Sequence, residues 1–199
     1  MSRRISSLDG LRALSITAVL FGHLAGTRGA YTFAKGSGIP EDFAGLGVTV
    51  FFVISGFLIT TLLLDEERRN GAVSLSNFYA RRAVRIVPPF LAFVAAMTAA
   101  YSLRWVDFTR LDFATAITWT MNYNPHPAWV FGHLWSLSVE EQFYLLWPLT
   151  IALLGFKRGR HVAIGMFLAA PVVRAAMRVA LPHSSLRWLP VFPAVADAI

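Results

Sequence analysis

The sequence predicts an all-α, polytopic transmembrane helical bundle with five to six membrane segments. Hydrophobic residues make up 56% of the 199 positions and charged residues only 15%, more apolar surface than one soluble core of this length can bury. The stretch LGVTVFFVISGFLITTLLL, residues 46 to 64, carries no charge and is long enough to cross a bilayer as a helix. Other apolar runs follow along the chain, and the basic residues fall between them.

The first candidate span covers residues 11 to 26, the second 46 to 64, and the third about 86 to 103. A weak fourth runs from 111 to 123, a fifth from 134 to 154 and a sixth from 161 to 180. Arg3 and Arg4 precede the first span, and Arg68, Arg69, Arg81, Arg82 and Arg85 lie between the second and third, against only Arg28 and Lys35 between the first and second. By the excess of Lys and Arg in cytoplasmic loops, the N-terminus and residues 65 to 85 face the cytoplasm. A full fourth span would then put Lys157, Arg158 and Arg160 outside. Its length and polar content (Asp112, Thr115, Thr118, Thr120, Asn122) instead predict a short or re-entrant piece sheltered by protein. A secretory signal is the competing reading of the first segment; Asp9, Arg12 and the further apolar runs argue against it.

Charges inside such runs need a reason, because a charge facing lipid costs several kcal/mol, about 3 on insertion scales. Arg12 and His23 are eleven residues apart, which on a helix puts them within about 20° of one face and about 16 Å apart along the axis. Asp9 lies one turn before Arg12 and is placed to pair with it. Snorkelling of Arg12 and capping by His23 would explain each residue alone; the shared face argues for both turned inward. In SNFYARRAVRIVPPF, residues 76 to 90, a short helix would bring Arg82 and Arg85 together at i and i+3, and Pro88 and Pro89 would restart the backbone as a new span. Paired guanidinium groups suit phosphate, whether of a donor or of lipid headgroups. In HLWSLSVEEQFYLLWP, residues 133 to 148, Glu140 and Glu141 point about 100° apart, with Ser136, Ser138 and Tyr144 one turn away. A structural role, a glutamate pairing with Arg12 or Arg174, competes with a catalytic one. Ser55 and Gly56 in mid-span predict close helix contact.

Several function classes drop out. Cysteine is absent, which removes disulfides, thiol nucleophiles and thiolate metal sites, and with no HExxH spacing no metal is expected. The net charge of +7 lies between apolar runs, so it reports membrane topology and not nucleic acid, which is not an expected partner.

Four ordered motifs then carry a resemblance: LDGLRALSITAVLFGH from residue 8, GVTVFFVISGFLI, FYARRAVRIVPPF and HLWSLSVEEQFYLLWP. Together they resemble the membrane acyltransferase-3 family, which includes bacterial O-acetyltransferases of cell-surface polysaccharides. The resemblance implies an integral membrane domain over residues 1 to 199, in the bacterial inner membrane, that transfers an acyl group, usually acetyl from acetyl-CoA, to a hydroxyl of a carbohydrate or lipid-linked glycan. It implies a catalytic set of His23, Arg12, Glu140 and Glu141, with Glu140 the favoured one of the two glutamates, a donor-binding pair Arg82 and Arg85, and acyl-CoA as substrate with no bound cofactor. Family members continue through further spans, so the sequence reads as the N-terminal portion, incomplete at its C-terminus. A proton-coupled transporter using the intramembrane charges, or an inactive truncated relative, are the alternatives.

Overall fold

A computed structural model describes residues 6–25 and 43–180, and among them the secondary structure is helical with no strand. The described residues divide into two compact units, one up to residue 63 and one from residue 64 onward.

In the first unit, α1 (Ser6–Ala25) lies against the early turns of α2 (Phe43–Asn70). The contact is a seam of small groups: Ser15 and Ala18 are buried, and a Cβ added at Gly47 would fall 2.8 Å from the Ser15 carbonyl oxygen. Small residues let the two backbones approach, which is the chief attraction available to helices already surrounded by lipid. Ser55 of α2 is likewise buried.

In the second unit α2 ends at Gly71, whose φ of 75° a side chain would strain and whose amide bonds the Glu67 carbonyl at 2.7 Å. The Glu66 carboxylate then accepts the Ser74 amide at 3.1 Å, covering the opening of α3 (Leu75–Ser102) where Ser74 makes no side-chain cap of its own. The helix runs unbroken through Pro88 and Pro89, so the sequence expectation of a short helix and a restart at the prolines is corrected. Each proline removes one backbone donor, at about 3 kcal/mol in water. In lipid a full break would strand more backbone groups than the two carbonyls, of Val84 and Arg85, that the prolines leave. Side chains on both sides of the prolines are also tied to one partner helix, as described below.

The third helix closes with Arg104 in the left-handed region (φ 61°), its amide on the Tyr101 carbonyl and that of Trp105 on the Ala100 carbonyl. The short α4 (Arg110–Ile117) follows, ending in a second left-handed residue, Trp119, then a 3-10 turn at Met121–Tyr123 and the single-turn α5 (Trp129–Gly132). At eight residues, α4 rises about 12 Å and cannot cross a bilayer. The weak fourth run is therefore a short piece and not a span.

The last helix, α6 (Leu134–Ala180), contains a break at Gly155, whose φ of 71° and ψ of 164° only glycine adopts without strain. A Cβ at Gly159 would meet the Ile151 side chain at 2.6 Å, so the chain past the break packs back against the turns before it. Two predicted spans, 134 to 154 and 161 to 180, are thus two arms of one broken helix. Three helical stretches, Gly45–Asn70, Leu75–Ser102 and Trp129–Met177, are long and apolar enough to cross a membrane, and large side chains such as Leu91, Leu153 and Phe167 stay exposed. The chain is an integral membrane protein.

The opening arm of α6 runs antiparallel to α3. His133 meets Phe93 edge to face at 5.3 Å, Arg82 faces Glu141, and the Tyr79 hydroxyl donates to the Leu145 carbonyl at 2.7 Å. Lys157, Arg158 and Arg160 consequently lie toward the end of the second unit where α3 begins, with Arg68, Arg69 and Arg81. Exposed Tyr101, Trp105 and Trp129 mark the other end. With the fourth run reduced to a short piece, basic turns fall at one end, and the conflict that a full fourth span would create does not arise.

Candidate functional site

The sequence-derived residues fall in both units. In the first, Arg12 and His23 lie on one unbroken helix, so their backbone spacing is the one expected. Arg12 is half-buried, its guanidinium 5.5 Å from the centre of the Phe51 ring on α2. An aromatic face is a favourable seat for a cation held in an apolar surrounding. The His23 side chain lies outside the described residues.

In the second unit the structure separates Arg82 from Arg85. Three residues apart, they diverge by about 60° around α3. Arg82 turns toward α6, where its Nη2 lies 3.4 Å from Glu141 Oε1 and its guanidinium carbon sits 3.2 Å above the Tyr144 ring. Arg85 is exposed. The Tyr144 hydroxyl donates to Glu140 Oε1, so one phenol joins both glutamates: its face holds the arginine of one, its oxygen binds the other. Tyr144 is itself buried. The Arg82 Nε hydrogen has no acceptor among the described residues although the atom is buried. A buried donor left unmade costs about 1 to 3 kcal/mol, so this cluster is not a saturated structural clamp.

The sequence reading offered Arg12 or Arg174 as the structural partner for a glutamate, and the structure gives Glu141 to Arg82. Arg82 precedes Glu141 by 59 residues, and nothing local in the sequence signals that pairing. Only the antiparallel register of α3 and α6 brings the two residues level.

Alongside stands a second polar centre that sequence reasoning recorded only as polar content. Asp112 is 2% exposed, yet its carboxylate accepts four hydrogen bonds: from the Thr109 amide at 2.8 Å, the Thr109 hydroxyl at 2.7 Å, Asn124 Nδ2 at 2.8 Å and the Ala128 amide at 3.0 Å. Thr109 returns the contact by accepting the Asp112 amide, a capping box that starts α4. Burial alone would raise this carboxyl, but the bonds from Thr109, Ala128 and Asn124 together hold it below the ordinary aspartate range. The pattern Thr-x-x-Asp before an apolar run was the available sequence signal.

Gln142 completes the arrangement. Its Nε2 donates to the Trp119 carbonyl at 2.7 Å and to Asn122 Oδ1 at 2.9 Å, while the Met121 amide donates to Ser138 Oγ at 3.2 Å. Trp119 packs on Phe90 with ring centres 4.1 Å apart and planes tilted by 32°, against the apolar cluster of Phe90, Ala116, Met121, Phe131 and Leu134. The non-helical turn after α4 is therefore pinned to the same face of α6 that precedes and follows the glutamates.

The family described as an acyltransferase domain matches residues 5–185. O-acetyltransferase OatA of Staphylococcus aureus is 34% identical over 165 residues, covering 76% of this chain and 25% of its own length. Peptidoglycan O-acetyltransferase OatA of Listeria monocytogenes is 34% identical over 159 residues, 72% of this chain and 24% of its own. A putative O-acetyltransferase of Staphylococcus aureus is 34% identical over 176 residues, 82% of this chain and 27% of its own. The chain spans about a quarter of the length of these curated relatives. No solved structure matches it.

Proposed function

The chain belongs to the acyltransferase family, and from that premise we propose that it acts as an integral membrane O-acyltransferase. The donor in this reading is acetyl-CoA at the cytoplasmic face, and the acceptor is a hydroxyl of a cell-envelope carbohydrate or lipid-linked glycan. Peptidoglycan is the acceptor named for the Listeria relative. The end bearing Arg68, Arg69, Arg81 and the Lys157 to Arg160 turn faces the cytoplasm, in a bacterial inner membrane with the N-terminus inside.

The observation that carries the proposal is the divergence of the two α3 arginines. Arg85 is exposed toward the basic end, where a guanidinium can take the phosphates of CoA in forked contact, and Arg82 is turned inward to Glu141 and Tyr144. The donor-binding pair of the sequence reading becomes one donor contact, Arg85, and one positioning residue, Arg82. His23 is the proposed general base. As the acceptor oxygen attacks the thioester carbonyl, the imidazole takes the hydroxyl proton, the carbon–sulfur bond breaks, and the CoA sulfur leaves as the thiol carrying that proton. Arg12 contributes positive charge about three turns nearer the cytoplasmic side, and Glu140 and Glu141 are the carboxylate candidates, held by Tyr144 and Arg82.

Membranes containing the protein are expected to move label from acetyl-CoA to glycan, and His23→Ala to abolish the transfer. Equal transfer by the alanine variant would remove His23 from the mechanism. Proton-coupled flux in proteoliposomes with no acetyl transfer would replace the enzymatic reading with a transporter.

A further inference from the structure

Contacts between α3 and the segment that follows it fix how deep that segment reaches. Phe90 lies twelve residues before Ser102, so it sits about 18 Å below the end of α3. Trp119 packs on Phe90, and its carbonyl is bonded by Gln142 of the antiparallel α6. Thr118 to Tyr123 therefore lies more than halfway through a hydrocarbon layer of about 30 Å. From Leu103 the chain descends through Phe108 and α4 to this depth, and it climbs back to Phe131, which meets Phe93 at 5.9 Å and Phe108 at 4.8 Å. Asp112 ties the descending limb to the returning one, since its donors come from Thr109 on one side and Asn124 and Ala128 on the other.

Irregular backbone at membrane depth persists only where protein covers it or water reaches it. At the tip the main chain is held by Gln142 and Ser138 of α6. Thr118 there is exposed, its hydroxyl satisfied by the Thr120 hydroxyl at 2.7 Å, and Asn122 is half-buried. These side chains are bonded to one another, to the Ala114 carbonyl and to Gln142, but two hydroxyls and an amide keep further acceptor capacity that water can meet and acyl chains cannot. The same level of α6 carries Glu141, next in sequence to Gln142, and the buried Arg82 Nε whose hydrogen has no acceptor among the described residues. That donor asks for a water or a ligand oxygen.

We propose that residues 104 to 133 form a re-entrant segment entering from the end marked by Tyr101 and Trp105, and that its tip, Thr118 to Asn122, lines an aqueous passage reaching the level of the Arg82–Glu141 pair. The chemistry of the lining, hydroxyls and amides beside a charged pair, suits a hydroxyl-rich carbohydrate in water. In the acyltransferase reading this is the acceptor's route, opposite the arginine-bearing end where the donor binds. The identity of the ligand rests on that reading; the water access does not.

The absence of cysteine makes the test direct. Single cysteines replace Thr118 and Thr120 in the full chain, with Asp107→Cys marking the aromatic end and Arg69→Cys the basic end. Each is exposed in membranes to a charged, membrane-impermeant thiol reagent applied from one side at a time. Thr118→Cys and Thr120→Cys are expected to react from the side that labels Asp107→Cys, and soluble peptidoglycan fragments to slow that reaction about threefold or more. Reaction from the side that labels Arg69→Cys, or reaction only with a membrane-permeant maleimide, would overturn the passage. Labelling from the expected side without slowing by the glycan would overturn the acceptor assignment. None of these readouts needs acetyl transfer, so failure of the enzymatic reading leaves the accessibility result standing on its own.

Discussion

Asp112, buried, and Glu141, half-buried, are carboxylates of the same unit, and they are held in opposite ways. Asp112 takes four donors at ordinary hydrogen-bond distances, all from the segment it organises. Glu141 has one arginine at 3.4 Å, and that arginine still carries a buried hydrogen with no acceptor among the described residues. A carboxylate that is fully satisfied by its own fold has no bonding capacity to offer a substrate; one held by a long, incomplete contact does. The difference separates a structural acid from one with bonding capacity to spare, the role proposed for Glu141.

The most severe way to break this comparison is to remove the structural acid. Asp112→Ala strands the Thr109, Asn124 and Ala128 donors together, and loss of a buried polar network of this kind costs about 4 kcal/mol. Thermal unfolding in detergent should show the variant well below the parent, with the Thr118 to Tyr123 turn released toward proteolysis. An unchanged midpoint would mean that the four bonds are exchanged for water at no cost.

Next in size is Glu141, the acid proposed to take part in transfer. Glu141→Gln keeps shape and one acceptor but discharges the pair, and it is expected to lower acetyl transfer about 100-fold, equal to about 2.7 kcal/mol in the barrier. Its unfolding free energy should fall by no more than about 1 kcal/mol, as for a pair that is only partly buried. Should it unfold as readily as Asp112→Ala while sparing turnover, the two acids would have to exchange roles.

A finer cut runs between the neighbouring arginines. Arg85→Lys should raise the KM for acetyl-CoA about tenfold, about 1.4 kcal/mol, with kcat nearly unchanged, because a single ammonium cannot make the forked phosphate contact. Arg82→Lys, set against the Tyr144 ring and Glu141, should act on kcat instead. Equal effects of both on KM would restore the paired donor site that the i, i+3 spacing suggested.

Much of this organisation is legible in the sequence, for reasons that are local. The uncharged run from 46 to 64 falls within α2, and the polar residues 112 to 122 mark a segment too short and too wet to span. The prolines at 88 and 89 mislead because helix breaking is a rule for water, where freed backbone groups find partners; within apolar surroundings the helix continues. The partner of Glu141 is invisible because it depends on the register of α6 against α3, a pairing about sixty residues apart in the chain. Gln142 and Asn124 are missed for the same reason: an amide gives no periodic signal, and its value comes from which backbone it meets. The inward face predicted for His23 is a matter of side-chain placement, and that side chain lies outside the described residues.

Acid provides the smallest and most selective probe of the comparison. The folded Asp112 carboxyl ionises below its ordinary value, chiefly because the Thr109, Ala128 and Asn124 bonds outweigh burial. Unfolded, the same carboxyl has a pKa near 3.9, so the unfolded chain takes up the proton first as pH falls. Its contribution is therefore fully present above about pH 5 and is lost progressively as pH falls through the unfolded value toward the lower folded one. Unfolding midpoints should be level from neutral pH down to that point as far as this group is concerned, then decline. Asp112→Asn, which cannot titrate, should start less stable and show a shallower acid limb. If parent and variant lose stability in parallel below pH 5, the acid sensitivity belongs to other carboxylates, and the four bonds to Asp112 do not favour its ionised form in the way their geometry requires.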